Sequence, residues 1–214
     1  MSWLARLALA LGIAAAVALL ASGPGHRFGI FDYQVGIGLL RASAYIGLAA
    51  GALSLVALCV PRLRAGRARM LSVALVVGLA AAAPPLEFRR QAGLVPPIND
   101  ISTDFANATF AEQQRRAYPD IAPLEMKDAP PAAFARAMAA GEAMGWQIAT
   151  RNPAAGHFSA VAKTAWFGFQ DDIDVRVTPL GSGSRLDIRS RSRVGRSDIG
   201  ANARRIRAYF ERLK

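Results

Sequence analysis

The sequence predicts an α-helical membrane region of two to three spans followed by an α+β domain, a twisted antiparallel sheet with two helices on one face. Three observations predict it. The first 86 residues hold three uncharged apolar runs; residues 124–214 read as helix, two strands, two strands, helix; and the charge is unevenly spread. Residues 1–83 carry seven arginines against one acid, residues 84–175 eight basic against eleven acidic groups, and residues 176–214 eleven basic against three acidic. The net charge of +11 is therefore two basic ends around an acidic middle, not one uniform basic surface.

The apolar runs predict spans over residues 4–22, 40–60 and 70–85, each of the length that crosses a hydrocarbon core. Two alternatives stay open. The first run has Arg6 before an Ala- and Leu-rich stretch and small residues at Ala21-Ser22-Gly23, as a cleaved signal peptide would. The third is rich in alanine and ends at Pro84-Pro85, which also suits a buried or interfacial helix. Between the second and third runs stand Arg62, Arg64, Arg67 and Arg69 without an acid, so the positive-inside bias puts this loop in the cytoplasm. The N-terminus then lies inside and everything after Pro85 outside, which in a Gram-negative bacterium is a multi-pass protein of the inner membrane with a periplasmic domain. Ser43, Gly47 and Gly51 recur every four residues in the second run and predict close helix packing. The single cysteine, Cys59, falls in that run, so the later domain has neither an internal disulfide nor a thiolate metal site.

Residues 87–123 contain four prolines and no sustained period, and are expected to form a linker and extended arm, with a short helix around 109–117. The α+β domain is expected over 124–214. Ala129 to Met144 predicts a helix capped by Asp128 and stopped by Gly145. Trp146 to Thr150 and His157 to Thr164 flank a turn sequence and predict a hairpin; Trp166 to Thr178 and Arg185 to Val194 predict a second. Alternation puts Ile173, Val175, Val177, Leu186 and Ile188 on one face and the charged residues on the other. Setting Val177 opposite Leu186 and Val175 opposite Ile188 makes Arg176 face Asp187, Asp174 face Arg189 and Asp172 face Arg191. A slip of two residues either way sets like charges opposite each other, unfavourable by roughly 0.2–1 kcal/mol per pair. A last helix from Ser197 or Asp198 to Leu213 buries Ile199, Ala203, Ile206, Phe210 and Leu213. Asn202 falls on that apolar face and must be hydrogen-bonded there, to a neighbouring backbone or to the arginine strand.

Several stretches are more particular than composition demands: NDISTD at Asn99–Asp104, YPDIAPL at Tyr118–Leu124, GWQI at Gly145–Ile148, FQDDIDVRV at Phe169–Val177 and RSRSRVGRSDIGANARRIR at Arg189–Arg207. Over roughly residues 95–214 the chain resembles the bacterial domain of unknown function 1499 family, whose members often carry a membrane-spanning attachment. FANATF at 105–110 departs from the proline-rich turn usual there, which bears on the arm's local conformation. The resemblance implies no activity.

The residues themselves offer no catalytic set, no metal site and no need for a cofactor. No serine stands in a nucleophile elbow, no histidines cluster, and no glycine loop precedes a helix. His157 reads as a lone surface histidine at a turn. Asp171, Asp172 and Asp174 form the one acidic group that could serve a hydrolase or transferase with arginine stabilising an anion, but strand alternation splits Asp171 from the other two. Arg193, Arg196, Ser197, Asn202 and Arg205 at the strand-to-helix corner are the ligand or anion candidates. The expected function is a membrane-anchored envelope module that binds a protein, a lipid headgroup or an anionic glycan. Its partners are the lipid bilayer and an envelope protein or anionic ligand; nucleic acid is disfavoured by placement, and homo-oligomerisation is left open.

Overall fold

A computed structural model describes residues 2–214, in two compact units: residues 2–91 with Ala165–Gly168, and residues 92–164 with 169–214. In the first unit, α1 (Ser2–Arg27), α2 (Tyr33–Cys59) and α4 (Ala68–Ala92) are each long and apolar enough to cross a membrane, and α3 (Pro61–Arg64) is a single turn after α2. The helices fit a membrane region by length and apolarity. All three outrun the expected spans. The third continues through Pro84 and Pro85 to Ala92, so the expected end at 85 lies inside the helix. The small-residue stripe lies against α4: Gly47 and Gly51 are buried, and a Cβ added at Gly47 would lie 2.4 Å from the Gly78 carbonyl oxygen. Any side chain there would push the helices apart, because close backbone approach is what holds apolar helices together in lipid.

The second unit is an antiparallel sheet covered by helices. Its strands are β1 (Asp100–Ser102), β2 (Leu124–Met126), β3 (Gln147–Asn152), β4 (His157–Lys163), β5 (Gln170–Leu180) and β6 (Gly183–Ser192). Spatially the order is β1-β6-β5-β4-β3, with β2 also pairing β6. Between strands come α5 (Ala111–Ala117) and α6 (Pro130–Ala143), and α7 (Ala201–Glu211) follows β6. On β5 and β6, Ile173, Val175, Val177, Leu186 and Ile188 are almost fully buried. They form one core with Phe134 and Ala137 of α6 and Ala203, Ile206 and Tyr209 of α7. The Tyr209 hydroxyl donates to the Ala137 carbonyl at 2.8 Å, and its ring stacks on Trp146 at 4.8 Å. Burying those two aromatics, with the Tyr209 hydroxyl bonded to α6, fixes α7 against α6.

The register of the second hairpin is the one charge complementarity predicts: Val177 faces Leu186, Val175 faces Ile188, Asp174 faces Arg189 and Asp172 faces Arg191. Several expectations need correction. The hairpin pairs on through Leu180 and Gly183, so its turn is Gly181-Ser182 rather than 179–184. β5 starts at Gln170, because residues 165–168 group with the first unit, where the Trp166 indole donates to the Ser22 hydroxyl at 3.4 Å. Asp128 does not cap α6: Ala129 holds the cap position, and the Asp128 carboxylate pairs with Arg136. The segment 87–123 is no separate arm. It supplies β1, buries Ile98, Ile101 and Ile121 in the domain core, and seats Gln114 with its amide bonded to both the N–H (2.9 Å) and the carbonyl (2.6 Å) of Ser102. Two hydrogen bonds to one backbone unit substitute for a strand partner at that edge.

Candidate functional site

β5 and β6 bring a large share of the charge together, and burial sorts it into three groups. The innermost lies where α7 crosses β6. Asn202 is fully buried. Its carbonyl oxygen accepts from the Ser190 hydroxyl at 2.6 Å and from Arg205, while its amide donates to the Asn99 carbonyl at 3.0 Å and to the Ser192 hydroxyl at 3.1 Å. Arg205 also reaches the Ser190 hydroxyl at 2.8 Å and the Asp171 carboxylate at 2.5 Å, with side-chain exposures of 12% and 3% for the two charged groups. Asp171 points to the helix side because it alternates with Asp172 on β5. The Ser190 hydroxyl and both ends of the Asn202 amide are bonded, as buried polar groups require. Arg205 and Asn202, expected as ligand contacts, are thus committed to the interior.

The second group is the corner from β6 to α7. Arg193 holds Asp172 at 2.7 Å and also donates to the Gln170 side chain. The Ser197 hydroxyl accepts from the N–H of Ile199 at 3.3 Å. Gly200 holds the cap position of the helix, and the Asp198 carboxylate accepts from the N–H groups of Gly200 at 2.8 Å and of Asn202 in the first turn at 2.7 Å. The helix starts at Ala201, four residues later than the earliest expected start, because Ile199 and Gly200 both take positive φ (52° and 73°). Glycine is suited to that conformation and isoleucine is not, so the corner is strained at Ile199. Burial raises the Asp198 carboxyl above its usual value, against the pull of the two N–H groups it accepts from. Of the corner candidates, Arg196 alone keeps an exposed side chain without an ion pair among the described residues.

The third group is the open face of the sheet. The partners here differ from the facing pairs, and this corrects the expected ion pairs. Arg189 faces Asp174 but bonds the buried Asp100 of β1 through two nitrogens, at 2.9 and 2.6 Å. Asp172 faces Arg191 but is taken by Arg193, and Asp187 faces Arg176 but is taken by Arg185 at 2.8 Å. Arginine is long enough to reach diagonally or to a third strand, and bidentate geometry favours the better-placed carboxylate. Burial pushes the Asp100 carboxyl up, yet hydrogen bonds from Arg189 and Thr109 and the charges of Arg189 and Arg191 outweigh it and hold the group below its usual value. Thr109, in the segment that departs from the family pattern, supplies one of those bonds at 2.7 Å.

A hollow opens on this face, lined by Ser102, Asp104, His157, Asp174, Arg176, Arg185, Asp187 and Arg189. His157 Nε2 lies 3.5 Å from Asp174 Oδ1, a pairing that sequence reasoning missed. The signal for it was the β4–β5 register, which sets His157 opposite Arg176 and so diagonal to Asp174. Within the hollow, Asp187 belongs to Arg185 and Arg189 to Asp100, so Arg176 is left as the guanidinium without an ion pair among the described residues. Arg191, further along the face, is likewise without one, although it lies in electrostatic reach of Asp100. Chemically the face can pair with anions through Arg176 and Arg191. No group of His, Cys, Asp or Glu that could hold a metal occurs among the described residues.

No curated protein matches the chain. Residues 100–213 match the family model described as protein of unknown function (DUF1499), more than half of the chain and nearly all of the sheet unit, including β1, which the sequence alone assigned to an arm. By that match the chain belongs to the DUF1499 family.

Proposed function

We propose that this protein is a membrane-anchored envelope module that binds an anionic partner, an acidic protein surface or an anionic glycan, on the open face of its sheet. The carrying observation is that Arg185, Arg189 and Arg193 each hold a carboxylate there, while Arg176 and Arg191 are left without an ion pair among the described residues. Four residues separate their positions along the ladder, about 13 Å in a strand, a spacing that suits a multiply charged ligand. The arginine-rich segment 62–69 supports a topology with that segment inside the cytoplasm and the sheet domain outside, periplasmic in a Gram-negative cell. The test uses the full chain in zwitterionic micelles and compares alginate, a polyanionic glycan, with neutral dextran. Binding should favour alginate, weaken with salt and fall about tenfold in Arg176→Gln/Arg191→Gln. Equal affinity of the double variant and the parent rejects this surface.

The His157–Asp174 contact beside Arg176 favours a second reading, an envelope hydrolase or transferase with histidine as the base and arginine at the developing anion. It keeps Asp174 from the expected acidic trio and drops Asp171 and Asp172, which Arg205 and Arg193 occupy. Screening the full chain against phosphodiester and ester substrates tests it. Turnover that His157→Gln abolishes while the melting temperature holds would favour the enzyme.

A further inference from the structure

The end of the helical unit where α1 begins, α2 ends and α4 begins has a chemistry of its own. Ala5 and Ala8 of α1, Ala57 of α2 and Leu71 and Ala74 of α4 pack together there, with Leu63 of α3 against them. Around this knot stand Arg6, Arg62, Arg64, Arg67 and Arg69. The one acid in residues 1–86 is Asp32, at the opposite end, where it precedes α2. None of the five arginines has an ion pair among the described residues. Beside them a hollow opens onto the surface, with Arg67 and Arg69 at its rim and Leu9, Met70 and Val73 along its wall. Met70 and Val73 are exposed, on a helix apolar enough to lie in a bilayer.

We propose that this hollow is a binding site for one anionic phospholipid, its phosphate held by Arg67 and Arg69 and an acyl chain laid along Leu9, Met70 and Val73. Guanidinium groups suit a phosphate because they pair with two of its oxygens at once. Unpaired arginines at one end of a span attract anionic lipid, each contributing on the order of 1 kcal/mol near the surface. The apolar wall selects a lipid over a free anion, since aliphatic surface gains nothing from inorganic phosphate. The site rests on the helices alone and is independent of the open sheet face.

The full chain, purified in detergent with equal phosphatidylglycerol and phosphatidylcholine, is assayed for retained lipid by mass spectrometry. Phosphatidylglycerol should be retained preferentially. Arg67→Gln/Arg69→Gln should lower its retention about tenfold. Val73→Trp, which fills the groove and leaves both arginines, should lower it as well. Arg89→Gln, which removes an exposed charge at the other end of α4, should retain as much as the parent. Equal retention of the two lipids, parental retention by the Arg67/Arg69 variant, or displacement by excess inorganic phosphate would each overturn the proposal.

Discussion

Arg205 and Arg193 stand twelve residues apart in one segment, and each holds an aspartate of β5. Their surroundings make them different groups. Arg205 is largely buried, and its guanidinium bonds Asp171, Asn202 and Ser190 at once. Arg193 lies on the surface, 46% exposed, where water competes for the same carboxylate. The comparison teaches that a basic segment is not one functional unit. Burial assigns the inner arginine to the fold and leaves the outer one exposed to solvent.

The largest effect should come from breaking the inner cluster. Arg205→Leu strands the buried Asp171 charge and should destabilise the domain by about 3–5 kcal/mol. In thermal unfolding of the full chain, followed by tryptophan fluorescence, this appears as a fall of roughly 10–20 °C. Asp171→Leu added to it should restore part of the loss, because no charge then stays unpaired. Asn202→Ala comes next, at about 1–3 kcal/mol, since it leaves Ser190 and the Asn99 carbonyl without their partner. Arg193→Ala should cost under about 1 kcal/mol by the same measurement. If Arg193→Ala costs as much as Arg205→Leu, the division by burial is wrong.

Acidity sharpens the contrast, because two aspartates respond with opposite sign. Asp100 is held low by Arg189 against its own burial, so the stability it adds is present above its usual value and is lost as pH falls through the folded one. Asp198 is held high by burial, so its contribution is most favourable in acid and is lost as pH rises toward the raised value. Melting temperatures followed from about pH 3 to neutrality should therefore lose part of their acid-side fall in Asp100→Asn. In Asp198→Asn they should instead rise more steeply with pH.

The sheet register was readable because two independent periods agree in residues 170–191: apolar alternation fixes the faces, and opposite charges reject neighbouring slips. The position of Asn202 was readable too, since an amide on an apolar helix face has to find partners. The ion pairs were not. Arg189 bonds Asp100 from a strand 89 residues away, and nothing local marks which of two carboxylates a long side chain will take. The place of 87–123 was hidden for a related reason. β1 is only three residues long, and its burial rests on β6 and on Gln114, so no period of its own announces it. The His157–Asp174 contact depends on how the first hairpin registers against the second, which no period within either hairpin sets.

The central claim is that the open sheet face, not the inner cluster, carries binding. It is tested most directly by measuring alginate affinity and melting temperature together for Arg176→Gln/Arg191→Gln in the full chain. The account predicts about a tenfold loss of affinity with a melting temperature unchanged within about 2 °C. Parental affinity in that variant, or a loss of affinity that only follows unfolding, would contradict it.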